Sequence, residues 1–232
     1  MNPLNTIKKL SVWIFIVPFV AVNSCLIFVI YFQQFLNPGD GIGVTFPYFD
    51  GGTSISRTAR VFPTYLIFKP AMFLTAFLLF KFWSSYSAVV NKIDEVNNYS
   101  KYFKFFGIAS AMMLVLHAIF LGIKFDIQVY KLFRRVVMLS FVIFEIAAQT
   151  LLTLNFYKIR SQLINVISKK ILVFKIILVS ILIVTAIVSM PFLAVDGYKN
   201  LKHALEWDYF LGVLLFYLLS HFFWLKNPGP HT

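Results

Sequence analysis

Six long runs of apolar residues, separated by polar connections, dominate the pattern along the chain. Runs of about 18 or more such residues are typical of transmembrane helices. The runs do not alternate apolar and polar positions, as the strands of a membrane β-barrel would. Because only helices and closed barrels satisfy every backbone polar group in lipid, the pattern predicts an all-α, polytopic integral membrane protein. The predicted spans are 11–32, 64–83, 103–123, 136–156, 171–195 and 205–225, a six-transmembrane-helix bundle in one domain over residues 1–232.

Composition agrees with this class of protein. Charged residues make up 13% of the chain, against roughly a quarter in a soluble domain. The net charge is +12, and the basic residues flank the apolar runs, where they meet anionic headgroups. This placement disfavours nucleic-acid binding, since no soluble domain remains to present a basic face. The single cysteine, Cys25, lies inside the first run, so no intramolecular disulfide and no cysteine-based metal cluster can form.

No cofactor is expected from the remaining residues. His117 and His221 could suggest a bis-histidine haem, which needs both ligands at matched depth. Their predicted spans place them in opposite halves of the bilayer, which argues against haem. No metal-ligand spacing, nucleophile motif or phosphate-binding loop matches the chain. Whether the protein is an enzyme at all is therefore open at this stage.

The longest connection, residues 33–63, contains five of the ten glycines and is the candidate functional loop. The first apolar run is too long for a cleaved signal and is predicted to be a retained anchor. A slight excess of Lys and Arg places both termini in the cytoplasm and the loop on the other side. Residues 124–135 are the exception, since four basic residues fall on the disfavoured side. The Asn98 sequon would then be cytoplasmic. The membrane would be an endomembrane or plasma membrane in a eukaryote, and the inner membrane in a bacterium.

Ionisable residues inside spans are candidates for function because they are costly in lipid. Glu145 lies mid-span with Gln149 one turn further on the same face, and His117 is a possible partner from the third span. A proton-linked or catalytic pair is one interpretation. The other is a hydrogen bond that holds two helices together.

A second polar cluster is predicted at the outer ends of the second and sixth spans. If these spans adjoin, charges of both signs converge at headgroup depth. The cluster could bind the headgroup of a phospholipid or glycolipid, since arginine suits phosphate. It could also be ordinary anchoring by interfacial ion pairs. His203 and Glu206 are further catalytic candidates. The residues involved are Asp50, Arg57, Arg60, Lys69, His203, Glu206 and Asp208.

Two segments resemble signatures of the Frag/DRAM/Sfk family. The loop entering the second span resembles I-S-D-T-G-x-x-P-P-E-x-x-I-F, and Glu206-Trp207 resembles the family's E-W at the start of the sixth span. The chain departs from the pattern at Arg57, Ala59 and Thr64, which replace the aspartate, glycine and glutamate, and Lys199 stands at the expected histidine. The matching loop residues are Ile55, Ser56, Thr58, Pro63, Ile67 and Phe68.

The family includes damage-regulated autophagy modulators and Golgi proteins that remodel GPI-anchor lipids. The resemblance therefore implies six spans, cytoplasmic termini and work on membrane lipid, such as lipid remodelling, lipid distribution or support of autophagy. The first hypothesis is a protein that binds or organises lipid through an outer-leaflet site. The alternatives are an intramembrane lipid-modifying enzyme, such as an acyltransferase, and a proton-coupled small-solute transporter that uses Glu145.

Overall fold

Six long helices and three short ones make up the described part of the computed structural model, which covers residues 3–36, 42–93, 99–123, 127–195 and 197–225. Asn98, the first residue of the sequon, lies outside these ranges. The short helices all fall in the loop between the first two long helices. In chain order the elements are α1 (Pro3–Tyr31), α2 (Gln33–Leu36), α3 (Pro47–Asp50), α4 (Ile55–Thr58), α5 (Thr64–Ile93), α6 (Tyr99–Phe120), α7 (Gln128–Lys158), α8 (Lys169–Ala194) and α9 (Lys199–Phe223).

Each predicted span coincides with one long helix, and most of the helices extend beyond the predicted ends. α5 begins at Thr64, the residue predicted to begin the second span. α1 begins before the apolar run, because Leu4 and Ile7 are already buried in the bundle. α5 runs ten residues past the predicted end at 83, since Tyr86 and Val90 pack in the core. Packing between helices therefore sets these ends, rather than the limits of the apolar runs.

Five helices, α1, α5, α6, α7 and α8, are long and apolar enough to cross a membrane. The chain is thus a multi-pass, all-helical membrane protein in its described part. α9 is 25 residues long but is not among the five. Its first turns carry Lys202, Glu206 and Asp208, which reduce the apolar length that remains.

The long helices form a closed ring in which each packs against its predecessor and α9 returns to α1. His221 Nδ1 lies 3.2 Å from the carbonyl oxygen of Lys8, so the start of α1 and the end of α9 share one end of the bundle. At the opposite end, the hydroxyl of Tyr48 donates to Asn23 Oδ1 over 3.2 Å. We call these the terminal end and the loop end.

Aromatic side chains fill the half of the ring nearer the terminal end. Phe82 and Tyr217, from α5 and α9, meet edge to face with centroids 4.9 Å apart. Phe156 packs against Trp224 at 5.5 Å. Such offset and edge contacts are favourable beyond the area they bury. Phe82 and Phe156 therefore pack against other helices inside the bundle and do not serve only as lipid-facing side chains.

The terminal end is closed by residues 159–168, which we call the strap. The strap runs from α7 to α8 and is paired with the residues after α9. The amide of Ser168 donates to the carbonyl of Phe223 over 2.9 Å, and the amide of Leu225 donates to the carbonyl of Val166 over 2.9 Å. Two residues of the strap itself, Leu163 and Ile167, are buried.

Substituting Gly107 with alanine tests the packing of α5 on α6. A Cβ at Gly107 would lie 2.3 Å from the ring of Trp83. The glycine is therefore required for the close approach, and overpacking of this kind costs about 1–3 kcal/mol. We expect Gly107→Ala to lower the thermal unfolding midpoint in detergent.

Gly43 provides the control, since a Cβ there meets nothing within 4 Å. Gly107→Ala should also cost much less in a Trp83→Leu background, where the ring is gone. An equal loss in both backgrounds would contradict the packing argument.

Candidate functional site

The loop between α1 and α5 is attached to the first turns of α9. The indole Nε1 of Trp207 donates to the carbonyl of Thr53 over 2.9 Å. Tyr48 packs against the same indole, with ring centroids 4.9 Å apart. Trp207 is fully buried, so this contact is part of the core rather than a surface association.

Two further contacts bind the loop to the same helix. His203 Nδ1 lies 3.0 Å from the carbonyl oxygen of Gly51. Gly51 has φ 59°, and a Cβ there would meet the backbone oxygen of Asn200 at 1.8 Å. Only glycine allows so close an approach in this left-handed conformation. Partial burial lowers the pKa of His203, and nearby Lys199 and Arg57 lower it further, against the Gly51 contact.

Glu206 caps the short helix α4 from outside the loop. Its Oε1 accepts from the amide of Ser56 over 3.3 Å, in the first turn of α4, where amides lack helical partners. Ser54 caps the same helix, since its side chain accepts from the amide of Arg57. Glu206, predicted as a catalytic or lipid-binding residue, thus uses its carboxylate to bind the backbone of the loop. The two segments that carry the family resemblance contact each other here.

The turn before this contact, residues 45–52, is held together by the side chain of Asp50. Its side chain accepts from Thr45 Oγ1 over 2.6 Å and from the amides of Gly52 and Phe46 over 2.8 and 2.9 Å. These bonds favour the ionised carboxylate and lower the pKa of Asp50, with the Thr45 bond as the largest cause. Asp50 therefore shapes the loop and does not face the arginines predicted beside it.

Most of the signature residues in the loop have a structural role. Thr58 is fully buried, and its hydroxyl donates to the carbonyl of Ile55 over 2.8 Å. Thr64 Oγ1 donates to the carbonyl of Thr58 over 2.6 Å and so joins the loop to the first turn of α5. Phe68 is buried in the core, whereas Ile67 is 45% exposed and Pro63 is half-buried.

The basic residues of the loop lie near a third arginine, which is on α7. Partial burial lowers the pKa of Arg60, and the charges of Arg134 and Arg57 lower it further. Arg60 is therefore near enough to Arg134 and Arg57 for their charges to act on it. None of the described acidic side chains forms an ion pair with them. The predicted ion-pair anchoring is thus not found among the described residues.

The remaining members of the predicted cluster lie apart from the three arginines. Lys69 Nζ lies 3.4 Å from the carbonyl of Ile119, at the carboxyl end of α6. That contact is favourable because helix carboxyl ends carry partial negative charge. Asp208 is exposed and makes no side-chain hydrogen bond with another described residue. The mixed cluster predicted between the second and sixth spans is spread more widely. Arg57 lies near His203 of α9, whereas Arg60 lies near Arg134 of α7 and Lys69 lies at the end of α6.

Glu145 is the centre of a buried polar network that joins three helices. Its Oε2 accepts from Ser110 of α6 over 2.5 Å, and its Oε1 accepts from Tyr217 of α9. Gln149 Nε2 donates to Glu145 Oε1 over 3.2 Å and to the carbonyl of Val213 over 3.3 Å. His117 does not bond to Glu145, so the expected pair is not formed. It lies two turns from Ser110 along α6, near the charge of Arg134.

A fully buried lysine, Lys175, was not among the candidate residues from the sequence. Its Nζ donates to Ser220 Oγ over 2.7 Å and lies 4.2 Å from the ring centre of Phe216. Lys175 follows Lys169 and Lys170, so in the sequence it looks like one more residue of a flanking basic group. The signal that could have found it is its position inside the predicted span 171–195.

The comparisons with known proteins leave the site to be interpreted from its own geometry. No family model, no curated protein and no solved structure matches the chain.

Replacing Glu206 with alanine tests the attachment of the loop. The amide of Ser56 would lose its acceptor, a loss comparable to removing a helix N-cap, which costs about 0.5–2 kcal/mol. We expect faster tryptic cleavage after Arg57 and Arg60 in folded Glu206→Ala protein. Asp208→Ala removes the same charge two residues away without removing a bond, and should leave the cleavage rate unchanged. Equal cleavage in both variants would contradict the capping role.

Glu145 variants separate hydrogen bonding from charge. The amide of Gln can accept from Tyr217 through its oxygen and donate to Ser110 Oγ through its NH2 group, whereas Leu leaves Tyr217 and Gln149 without this partner. Unsatisfied buried groups cost about 1–3 kcal/mol each. We therefore expect Glu145→Leu to unfold at a clearly lower denaturant concentration than Glu145→Gln, measured by tryptophan fluorescence in mixed micelles. If both variants lose the same stability, the carboxylate charge matters rather than the bonds.

Proposed function

We propose that this protein binds an anionic membrane lipid at the loop end and thereby organises lipid in its membrane, without performing chemistry on it. The observation that carries the proposal is that Arg60 lies within electrostatic range of Arg57 and Arg134, and none of the three forms an ion pair with a described acidic residue. An anion bound among neighbouring guanidinium groups would relieve their repulsion. Phosphate suits them because it accepts paired N–H donors from arginine.

The proposed topology has six crossings, cytoplasmic termini and the loop on the opposite side. The shared position of Lys8 and His221 at the terminal end supports an even number of crossings, with α9 as the sixth. α9 lines the interior through Trp207, Phe216 and Tyr217, all fully buried. A helix that packs against α1, α7 and α8 needs less apolar surface of its own.

The loop also carries apolar side chains suited to a membrane interface. Phe46 and Phe49 stack with ring centroids 5.3 Å apart, and 57% and 85% of their surfaces are exposed. Val44 is 84% exposed. Aromatic rings favour the headgroup region, where one side is apolar and the other wet. The loop would then lie at the depth where lipid phosphates meet the arginines.

Membership of the Frag/DRAM/Sfk family is part of this proposal and rests on the resemblance of two segments alone. The acyltransferase and transporter alternatives receive no comparable observation. An intramembrane acid–base mechanism needs a base oriented by a second group. His203 contacts the Gly51 carbonyl rather than Glu206, and His117 does not contact Glu145.

Neighbouring arginines on α7 allow a matched test of lipid binding. The charge of Arg134 acts on Arg60, whereas Arg135, the next residue along α7, is exposed. Protein would be extracted gently with its native lipid, and the bound lipid classes quantified by mass spectrometry. We expect one anionic class to be enriched over bulk membrane in the wild type. Arg134→Gln and Arg60→Gln should lose that enrichment, and Arg135→Gln, with the same change in net charge, should keep it.

Lys69→Glu tests the edge of the site in the same assay. Its Nζ lies at the end of α6, so we expect a smaller loss than in Arg134→Gln. No enrichment in the wild type, or equal loss in Arg134→Gln and Arg135→Gln, would overturn the proposal. Equal loss would indicate general attraction to the membrane surface instead of a site. No enrichment would indicate that the protein does not select a lipid.

A further inference from the structure

A groove with a volume of about 360 Å³ lies at the terminal end, between the strap and α8. This volume is within the range of about 300–1,000 Å³ that is usual for small-ligand sites. The groove follows α8 from Lys169 to Ile176, a length of about 10 Å at 1.5 Å per residue. It therefore extends from the end of the helix into the apolar zone.

The groove is apolar along its length and basic at its mouth. Val173 and Ile164 line the groove and are 53% and 56% exposed. At the mouth, the guanidinium of Arg160 lies 3.9 Å from the centre of the Tyr157 ring. Its Nη1 donates to the carbonyl of Tyr157 over 2.6 Å. These contacts hold the guanidinium in place and leave its other N–H groups available.

Further positive charge converges on the same mouth. Lys169 lines it as the first residue of α8, so the positive end of that helix dipole lies there too. Lys170 follows and is exposed. None of the described residues that line the groove is acidic. A basic mouth on an apolar groove that enters the membrane complements an anionic headgroup with an acyl chain below it.

We infer that this groove binds one anionic glycerophospholipid from the leaflet at the terminal end. Its phosphate would contact Arg160 and Lys169, and one acyl chain would lie along Val173 and Ile176. With the orientation proposed above, this is the cytoplasmic leaflet, where anionic lipids are concentrated. The inference concerns the opposite end of the bundle from the arginines of the loop, so either site can exist without the other.

The test uses the full-length protein in phosphatidylcholine nanodiscs with phosphatidylglycerol as a minor component. Either lipid carries a photoreactive diazirine in one acyl chain, and the cross-linked peptides are mapped by mass spectrometry. We expect labelled phosphatidylglycerol to attach mainly to peptides that contain the strap and the first turns of α8. Labelled phosphatidylcholine should attach there several-fold less.

Filling the groove and neutralising its mouth provide independent variants. Val173→Trp would occupy the groove and should abolish the selective cross-link. Val184→Trp, on the same helix and 59% exposed, should preserve it. Arg160→Gln and Lys169→Gln should each reduce phosphatidylglycerol labelling about fivefold, the ratio equivalent to ~1 kcal/mol per basic residue at a membrane surface. Lys101→Gln, an exposed lysine at the start of α6, should have no such effect.

Three outcomes would overturn the inference. These are equal labelling by the two lipids, a selective cross-link that survives Val173→Trp, and a loss in Lys101→Gln as large as that in Arg160→Gln. Arg134→Gln serves as the separating control, because it alters the loop end and should leave this cross-link intact.

Discussion

Polar groups that enter the apolar interior must find their partners within the chain, and this constraint governs the whole bundle. It requires the backbone of every span to be helical. It also places the two buried charged side chains against hydroxyl groups from other helices. Glu145 meets Ser110 and Tyr217, and Lys175 meets Ser220. α9 supplies a partner in both cases. α9, the long helix that is not among the five apolar enough to cross a membrane, is thus the one on which the buried polar groups of its neighbours depend.

The same constraint extends to the loop. The first amides of its short helix α4 have no partners within the helix, and Glu206 of α9 accepts a hydrogen bond from one of them. The buried indole of Trp207 and the carbonyl of Thr53 satisfy one another close by. The loop is therefore attached to the bundle through backbone groups. This arrangement leaves the side chains of Arg57 and Arg60 unpaired with the described acidic residues and available to an external anion.

The positions of the long helices could be predicted from the sequence, because each coincides with a continuous apolar run. The helix ends could not, since Leu4, Ile7 and Tyr86 extend their helices by packing against protein. A meeting of the loop with the start of the last helix was expected only if the second and sixth spans adjoin, and the hydrogen bond from the Ser56 amide to Glu206 was not expected. Arg134 was visible only as an anomaly of charge in the connection 124–135. The burial of Lys175 depends on which face of α8 meets α9, and hydropathy does not contain that information.

The order of the helices along the chain has a consequence for synthesis. A ribosome that has made α1 to α8 has already delivered Glu145 and Lys175 to the membrane, while Tyr217 and Ser220 are still untranslated. The newly inserted helices therefore wait with polar side chains facing lipid, and the strap waits for Phe223 and Leu225. Synthesis and insertion of α9 supply the partners for all of these contacts together. A nascent chain stalled before that point would present to quality-control machinery the groups that the finished protein conceals.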